Sequence, residues 1–263
     1  MREGAPVDFG SLRVWPQIGR DVGAQAISLR VLEFAPGLSP GLRNETCDEI
    51  LYVLGPTWDR GRPARSRLGH VQAANNNATV FIDDRAFAVE PATGIYLRPG
   101  QTLTVDNPNS ESLVMISSQC PEPLNGPSAL PLSPTMPPSS SSASLDPLPI
   151  VRLADRPSLP TADRWYRVLV DDEVGSTQVT QFVGSIPPGR APDHFHQYEE
   201  VLFILRGQGR MWAGETNTSI GAGSCVYLPK EQAHCVENTG ADELRVLGVF
   251  YPAGSPSVRY EVD

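Results

Sequence analysis

The chain reads as an all-β protein, and three observations say so. Its apolar runs are short, four to seven residues, and each stops at a Gly or Pro turn. No stretch holds a 3.6-residue apolar period of useful length. The strand pattern of one half also returns in the other, as expected of two barrels in tandem.

The first half supplies Asp48–Gly55, an apolar run, then Ile95–Leu97 and Asp106–Asn107. The second supplies Val201–Leu205, ended by the turn at Arg206–Gly209, then Arg210–Ala213 and the turn at Gly214–Asn217. Cys225–Leu228 closes at Pro229, and Leu244–Tyr251 is a last apolar strand before Pro252. Asp48–Gly55 matches Glu199–Arg206, which sets Glu49 opposite Glu200, an offset of 151. Tyr96 matches Tyr227 at an offset of 131, so the first half holds about 20 extra residues, which Gly55 to Ala78 accounts for.

Three of the four histidines fall in one pattern: His194, His196 and Glu200 ahead of Gly207, then Gly223, Pro229, Glu231, His234 and Asn238. On a strand, side chains two apart share a face, so His194 and His196 point the same way. Glu200 enters from the next strand and His234 from a later one. Neutral imidazoles and a carboxylate converging at about 2.0–2.2 Å are what a divalent transition metal needs. The fourth histidine, His70, has no ligand-like neighbours.

These residues resemble the two signature motifs of the cupin superfamily, over roughly residues 165–255. Two positions depart from the pattern: Gly189 precedes His194 by one residue fewer than usual, and Glu231 stands where the family often has glycine. The resemblance implies two jelly-roll (double-stranded β-helix) barrels. The C-terminal one holds one metal ion (Fe, Mn, Ni or Zn) through His194, His196, His234 and Glu200. In the degenerate N-terminal copy the sequence register sets Arg43 at the place of His194, Glu45 at His196 and Leu103 at His234. Arginine and leucine ligate no metal. That half therefore reads as a structural partner barrel, with a metal-free ligand pocket around Arg43 as the sharper alternative.

Length and composition divide the chain into an N-terminal barrel (1–120), a Pro/Ser-rich linker (121–150) and a metal-binding barrel (151–263). The net charge of −9 argues against a nucleic-acid partner, and no apolar run is long enough to span a membrane. Arg60–Arg67 is locally basic and reads as a solvated loop. Four cysteines without a leader fit free thiols in a cytoplasmic protein. Exposed sheet edges make a homodimer the expected assembly.

A catalytic role needs a second group near the ion to move protons or bind an anion. Arg190, Gln181, Arg210 and Tyr227 are the candidates, with Trp212 and Gln232 behind them. Cys235 should face away from the ion, and Glu199 should be a surface or interface carboxylate. Three functions compete for a small polar substrate. The full ligand set, through the resemblance that links it most often to such activities, implies an oxidoreductase, either a dioxygenase or a lyase of the oxalate decarboxylase kind. The layout is also similar to ureidoglycine aminohydrolases, which implies a non-redox isomerase or amidohydrolase. Here His194 and His234 replace that family's Glu and Gln. The third is a metal-containing binding protein without catalysis.

Overall fold

A computed structural model describes residues 4–54, 77–124, 129–130, 147–258 and 260–261. His70, the basic Arg60–Arg67 stretch and most of the linker lie outside them. Among the described residues every strand pairing is antiparallel, and the helices are three short 3₁₀ turns. None is long and apolar enough to cross a membrane.

Four sheets make two barrels. Sheet I runs, in spatial order, Val7–Asp8, Leu12–Ile18, Leu29–Phe34, Leu113–Cys120, Asp48–Val53, Thr93–Leu97 and Ile150–Arg152. Sheet II faces it with Ala129–Leu130, Gly41–Arg43, Thr102–Asn107, Ala78–Ile82 and Arg85–Val89. Sheet III orders Leu159–Thr161, Arg164–Val170, Thr180–Ile186, Leu244–Tyr251, Glu199–Arg206 and Cys225–Leu228. Sheet IV orders Thr216–Gly221, Gln208–Ala213, His234–Asn238, His194–Phe195 and Tyr260–Glu261. Ile150–Arg152, at the start of the second half of the sequence, pairs with Thr93–Leu97 and so extends the first barrel's sheet.

Among the described residues there are three cores, and alternation along the strands assigns each. Leu32, Leu51, Val80, Leu103 and Met115 fill the first barrel. Phe182, Leu202, Ile204, Leu228, Val246 and Phe250 fill the second. The opposite faces of sheets I and III bury each other: Trp15, Ile50, Ile116, Val183, Val201, Phe203, Leu247 and Val249 share one cluster. Sheet III is therefore buried on both faces, which is why Val201–Leu205 is a continuous apolar run instead of an alternating one.

The repeat is visible in the pairing. Glu49 is opposite Leu97 and Glu200 is opposite Leu228, reproducing both offsets. Asn107 donates to the carbonyls of Phe34 and Glu111, as Asn238 donates to those of Ile186 and Asp242. The motif asparagine thus closes the turn after its strand in both halves.

Candidate metal centre

His194 is opposite His234 across neighbouring strands of sheet IV. Gln197 and Tyr198 carry the chain from His196 to Glu199–Arg206 in sheet III, where Glu200 points into the barrel alongside Leu202. Pro229, Lys230 and Glu231 turn the chain back toward His234, and Glu231 N donates to the carbonyl of His196 at 2.8 Å. Glu231 has φ 65, in the left-handed region, so the position where the motif takes glycine keeps glycine's conformation here without glycine. Gly207 needs its own lack of a side chain, since a Cβ there would meet the Leu244 Cα at 2.8 Å.

Ligand atoms of His194, His196 and His234 all lie within 4.8 Å of one another, so the three imidazoles are positioned to bind a metal ion. Nδ1 of His234 is 2.7 Å from the Gln232 carbonyl. A carbonyl only accepts, so that nitrogen carries the proton and Nε2 keeps its lone pair for a metal. Oε2 of Glu200 stands 3.6 Å from Nε2 of His196 and 3.7 Å from Nε2 of His234. Two donors each about 2.1 Å from a common ion stand roughly 3–3.5 Å apart, so a small inward movement would seat a divalent cation between them. Tyr198 stacks on His196, with ring centroids 4.9 Å apart and planes 10° apart, and holds that ring in place.

The electrostatics also suit a cation. Burial pushes the Glu200 carboxyl up to about 8, and burial lowers His234 below the ordinary histidine value. Such a site favours neutral imidazoles and penalises a bare carboxylate, a penalty that a divalent ion removes. The cluster opens on a cavity of about 90 Å³ walled by Tyr166, Phe182, Ile186, Leu202, Val246 and Phe250.

None of the four candidate acid–base or anion-binding residues reaches this cavity. Gln181 and Tyr227 occupy the other face of sheet III. Gln181 is buried, its Oε1 close to Gly94 of the first barrel, and the Tyr227 hydroxyl donates to Glu199. Glu199 also accepts the backbone N–H groups of Gln25 and Ala26, both at 2.8 Å, so it is the interface carboxylate that sequence alone left between two roles. Arg190 and Arg210 lie on the outer face of sheet IV. Arg190 sits 4.0 Å above the Trp212 ring and donates to Cys235 Sγ at 3.2 Å. Arg210 pairs across the sheet with Glu237 and donates to Asn217. Cys235 faces away from the histidines, as alternation requires. Trp212 donates to Glu237, and Gln232 is exposed. The cavity is instead lined by Thr161, Arg164 and Tyr166, residues far enough ahead of the motifs to carry no motif signal.

The first barrel corrects the sequence register by one residue. Leu42 is opposite Leu103, the pairing that His194 and His234 make, so Leu42 takes the place of His194 and Asn44 that of His196. Glu49 follows Asn44 by five positions where Glu200 follows His196 by four, and one extra residue turns every side chain to the other face. Arg43 and Glu45 consequently point outward and pair with each other at 2.6 Å. Inside, Glu49 is held by Arg30, Asn44, Ser117 and Gln119, with Ser117 Oγ at 2.6 Å and Gln119 Nε2 at 3.2 Å. A guanidinium from this chain thus compensates the carboxylate that a metal ion would compensate in the second barrel.

Residues 182–250 match the family model for the cupin domain. The chain contains a cupin domain. Over 86 residues it is 34% identical to auxin-binding protein 1 of Arabidopsis thaliana, covering 29% of this chain and 43% of that one. Over 54 residues it is 33% identical to an uncharacterised protein of Methanocaldococcus jannaschii, covering 20% of this chain and 43% of that one. The chain thus spans less than half the length of either relative. Among solved structures, two variants of oxalate decarboxylase from Bacillus subtilis superpose with TM-scores of 0.72 and 0.71 at 14% and 15% identity. The first covers 96% of this chain and 76% of that one, the second 95% and 75%. This likeness extends the cupin jelly-roll fold over both halves.

Proposed function

We propose that this protein is a bicupin with one working metal centre, in which His194, His196, Glu200 and His234 hold a single divalent ion of Fe, Mn, Ni or Zn. The reaction is of the oxidoreductase type on a small molecule, either a dioxygenation or a lyase step of the oxalate decarboxylase kind. One observation carries the choice: the ligand set lies at the wall of a mainly apolar cavity into which none of the candidate proton-transfer residues projects. When bound, such an ion supplies Lewis acidity or a redox couple with open coordination positions. The chain's own residues orient that centre. The Gln232 carbonyl sets the His234 tautomer, Tyr198 braces His196, and Phe182 and Phe250 give the cavity apolar walls. The likeness to a protein named for auxin binding favours a second reading, a metal-containing small-molecule binder.

Elemental analysis of the purified chain beside a His194→Ala/His196→Ala variant tests the proposal. About one equivalent of Fe, Mn or Ni per chain, lost in the variant, supports the oxidoreductase. Stoichiometric zinc, with activity that persists without O2 or a change in oxidation state, turns the assignment to a non-redox enzyme. Metal retained by the variant refutes the ligand set.

A further inference from the structure

We propose that this cavity is gauged for one compact apolar ring, and that Phe182, seated on Gly248, sets the size limit. The inference rests on the metal-cupin reading of the same site and adds a ligand class to it: small molecules whose body is a single apolar ring, with fused rings excluded.

The order of strands in sheet III gives the cavity its floor. Leu244–Tyr251 and Thr180–Ile186 lie between the strand that carries Glu200 and the strand Arg164–Val170. From these two middle strands Phe182, Gly184, Ile186, Val246 and Phe250 line the cavity, and none of them has a hydrogen-bonding side chain. Ser185, on the same stretch, gives its hydroxyl to Glu243. A polar group of a ligand laid over this floor would lose water without finding a partner, whereas a hydrocarbon body gains by its burial.

The register shows what limits the space. Phe182 is opposite Gly248, which is opposite Leu202, and this row adjoins the one in which Glu200 is opposite Phe250. A Cβ at Gly248 would overlap the Phe182 ring, so the ring rests directly on bare backbone. Phe250 packs against it with ring centroids 4.9 Å apart. The ring thus sits as low as the sheet allows, and without it the cavity would reach down to the glycine. Gly184, opposite both Val246 and Tyr166, leaves a second notch in the floor. A Cβ there would stand 3.2 Å from Val246 Cγ2 and 3.6 Å from the Phe182 ring, close enough to narrow the notch and not to break the sheet. A volume of about 90 Å³ admits roughly six to nine non-hydrogen atoms at 10–15 Å³ per water-sized group. One ring with a small substituent falls in that range, and a fused pair of rings does not.

The test is NMR titration of the full chain with two neutral probes, benzyl alcohol and 2-naphthylmethanol. Wild type, Gly184→Ala and Phe182→Ala are compared, with circular dichroism and zinc uptake measured on all three. In an open apolar site the larger probe would bind more tightly, because it buries more carbon. Wild type is instead expected to prefer benzyl alcohol by at least about tenfold, the scale of forcing extra carbons into a filled site. Gly184→Ala should weaken benzyl alcohol about tenfold, as one added methyl group does in a fitted pocket. Phe182→Ala should reverse the order of the two probes, and if its spectrum shows that it has not folded, Gly184→Ala decides alone. No binding of benzyl alcohol, a wild type that binds 2-naphthylmethanol as tightly or more tightly, or an affinity unmoved in Gly184→Ala overturns the proposal. Loss of zinc uptake in His194→Ala/His196→Ala tests the metal reading separately, so the two can fail independently.

Discussion

Arg30→Met tests whether a side chain of the first barrel does the electrostatic work of a metal ion. The guanidinium and the Glu49 carboxylate are 4% and 2% exposed, so neither has water to fall back on. Removing the cation leaves Glu49 buried with only the neutral donors Asn44, Ser117 and Gln119. Breaking a buried pair from one side costs about 3–5 kcal/mol. At about 2–4 °C per kcal/mol for a chain of this size, the melting temperature should fall by about 6–20 °C. Arg30→Met/Glu49→Gln removes both charges together and should recover at least about half of that loss. Scanning calorimetry of the wild type, both single variants and the double variant reads all the terms. A shift under about 2 °C for Arg30→Met, or a double variant no better than the worse single one, would refute the compensation argument.

Other expectations follow from the same geometry. Glu231→Gly should raise stability by about 0.5–1 kcal/mol in urea denaturation, because glycine adopts φ 65 without the left-handed penalty. Glu199→Ala strands two backbone N–H groups of the first barrel and the Tyr227 hydroxyl; a loss of about 3 kcal/mol or more is expected by the same method. Zinc affinity, followed by competition with a chelator, should climb as pH rises from about 6 to about 8. Burial holds the Glu200 proton up to about 8, and that proton must leave when the ion binds. A flat profile would mean that no proton leaves Glu200 in that range when the ion binds.

The histidine cluster was legible because its signal is local: two histidines on one strand face, a carboxylate just beyond a turn, and a third histidine after Pro229. The candidates Gln181 and Tyr227 failed for a reason that also lies in the fold. Both faces of sheet III are buried, one inside its barrel and one against sheet I, so polarity no longer marks which face looks at the metal. Counting parity from Glu200 and its partner Leu228 would have turned Tyr227 away from the site. Arg43 was misplaced by the single extra residue ahead of Glu49, which no composition signal records. Arg164 is visible only once its strand is set beside Thr180–Ile186.

Equivalent tyrosine–carboxylate pairs occur in the two halves: Tyr96 donates to Asp48 in one, Tyr227 donates to Glu199 in the other, and Glu199 also accepts from Gln25 and Ala26 of the first barrel. Each pair adjoins an inward-pointing glutamate, Glu49 or Glu200. The consequence is one of portability. The histidine-bearing half expressed alone would present Val183, Val201, Phe203, Leu247 and Val249 to solvent and would tend to cover them with a second copy of itself. Anyone transplanting this centre into another protein must therefore carry the silent half along with the working one.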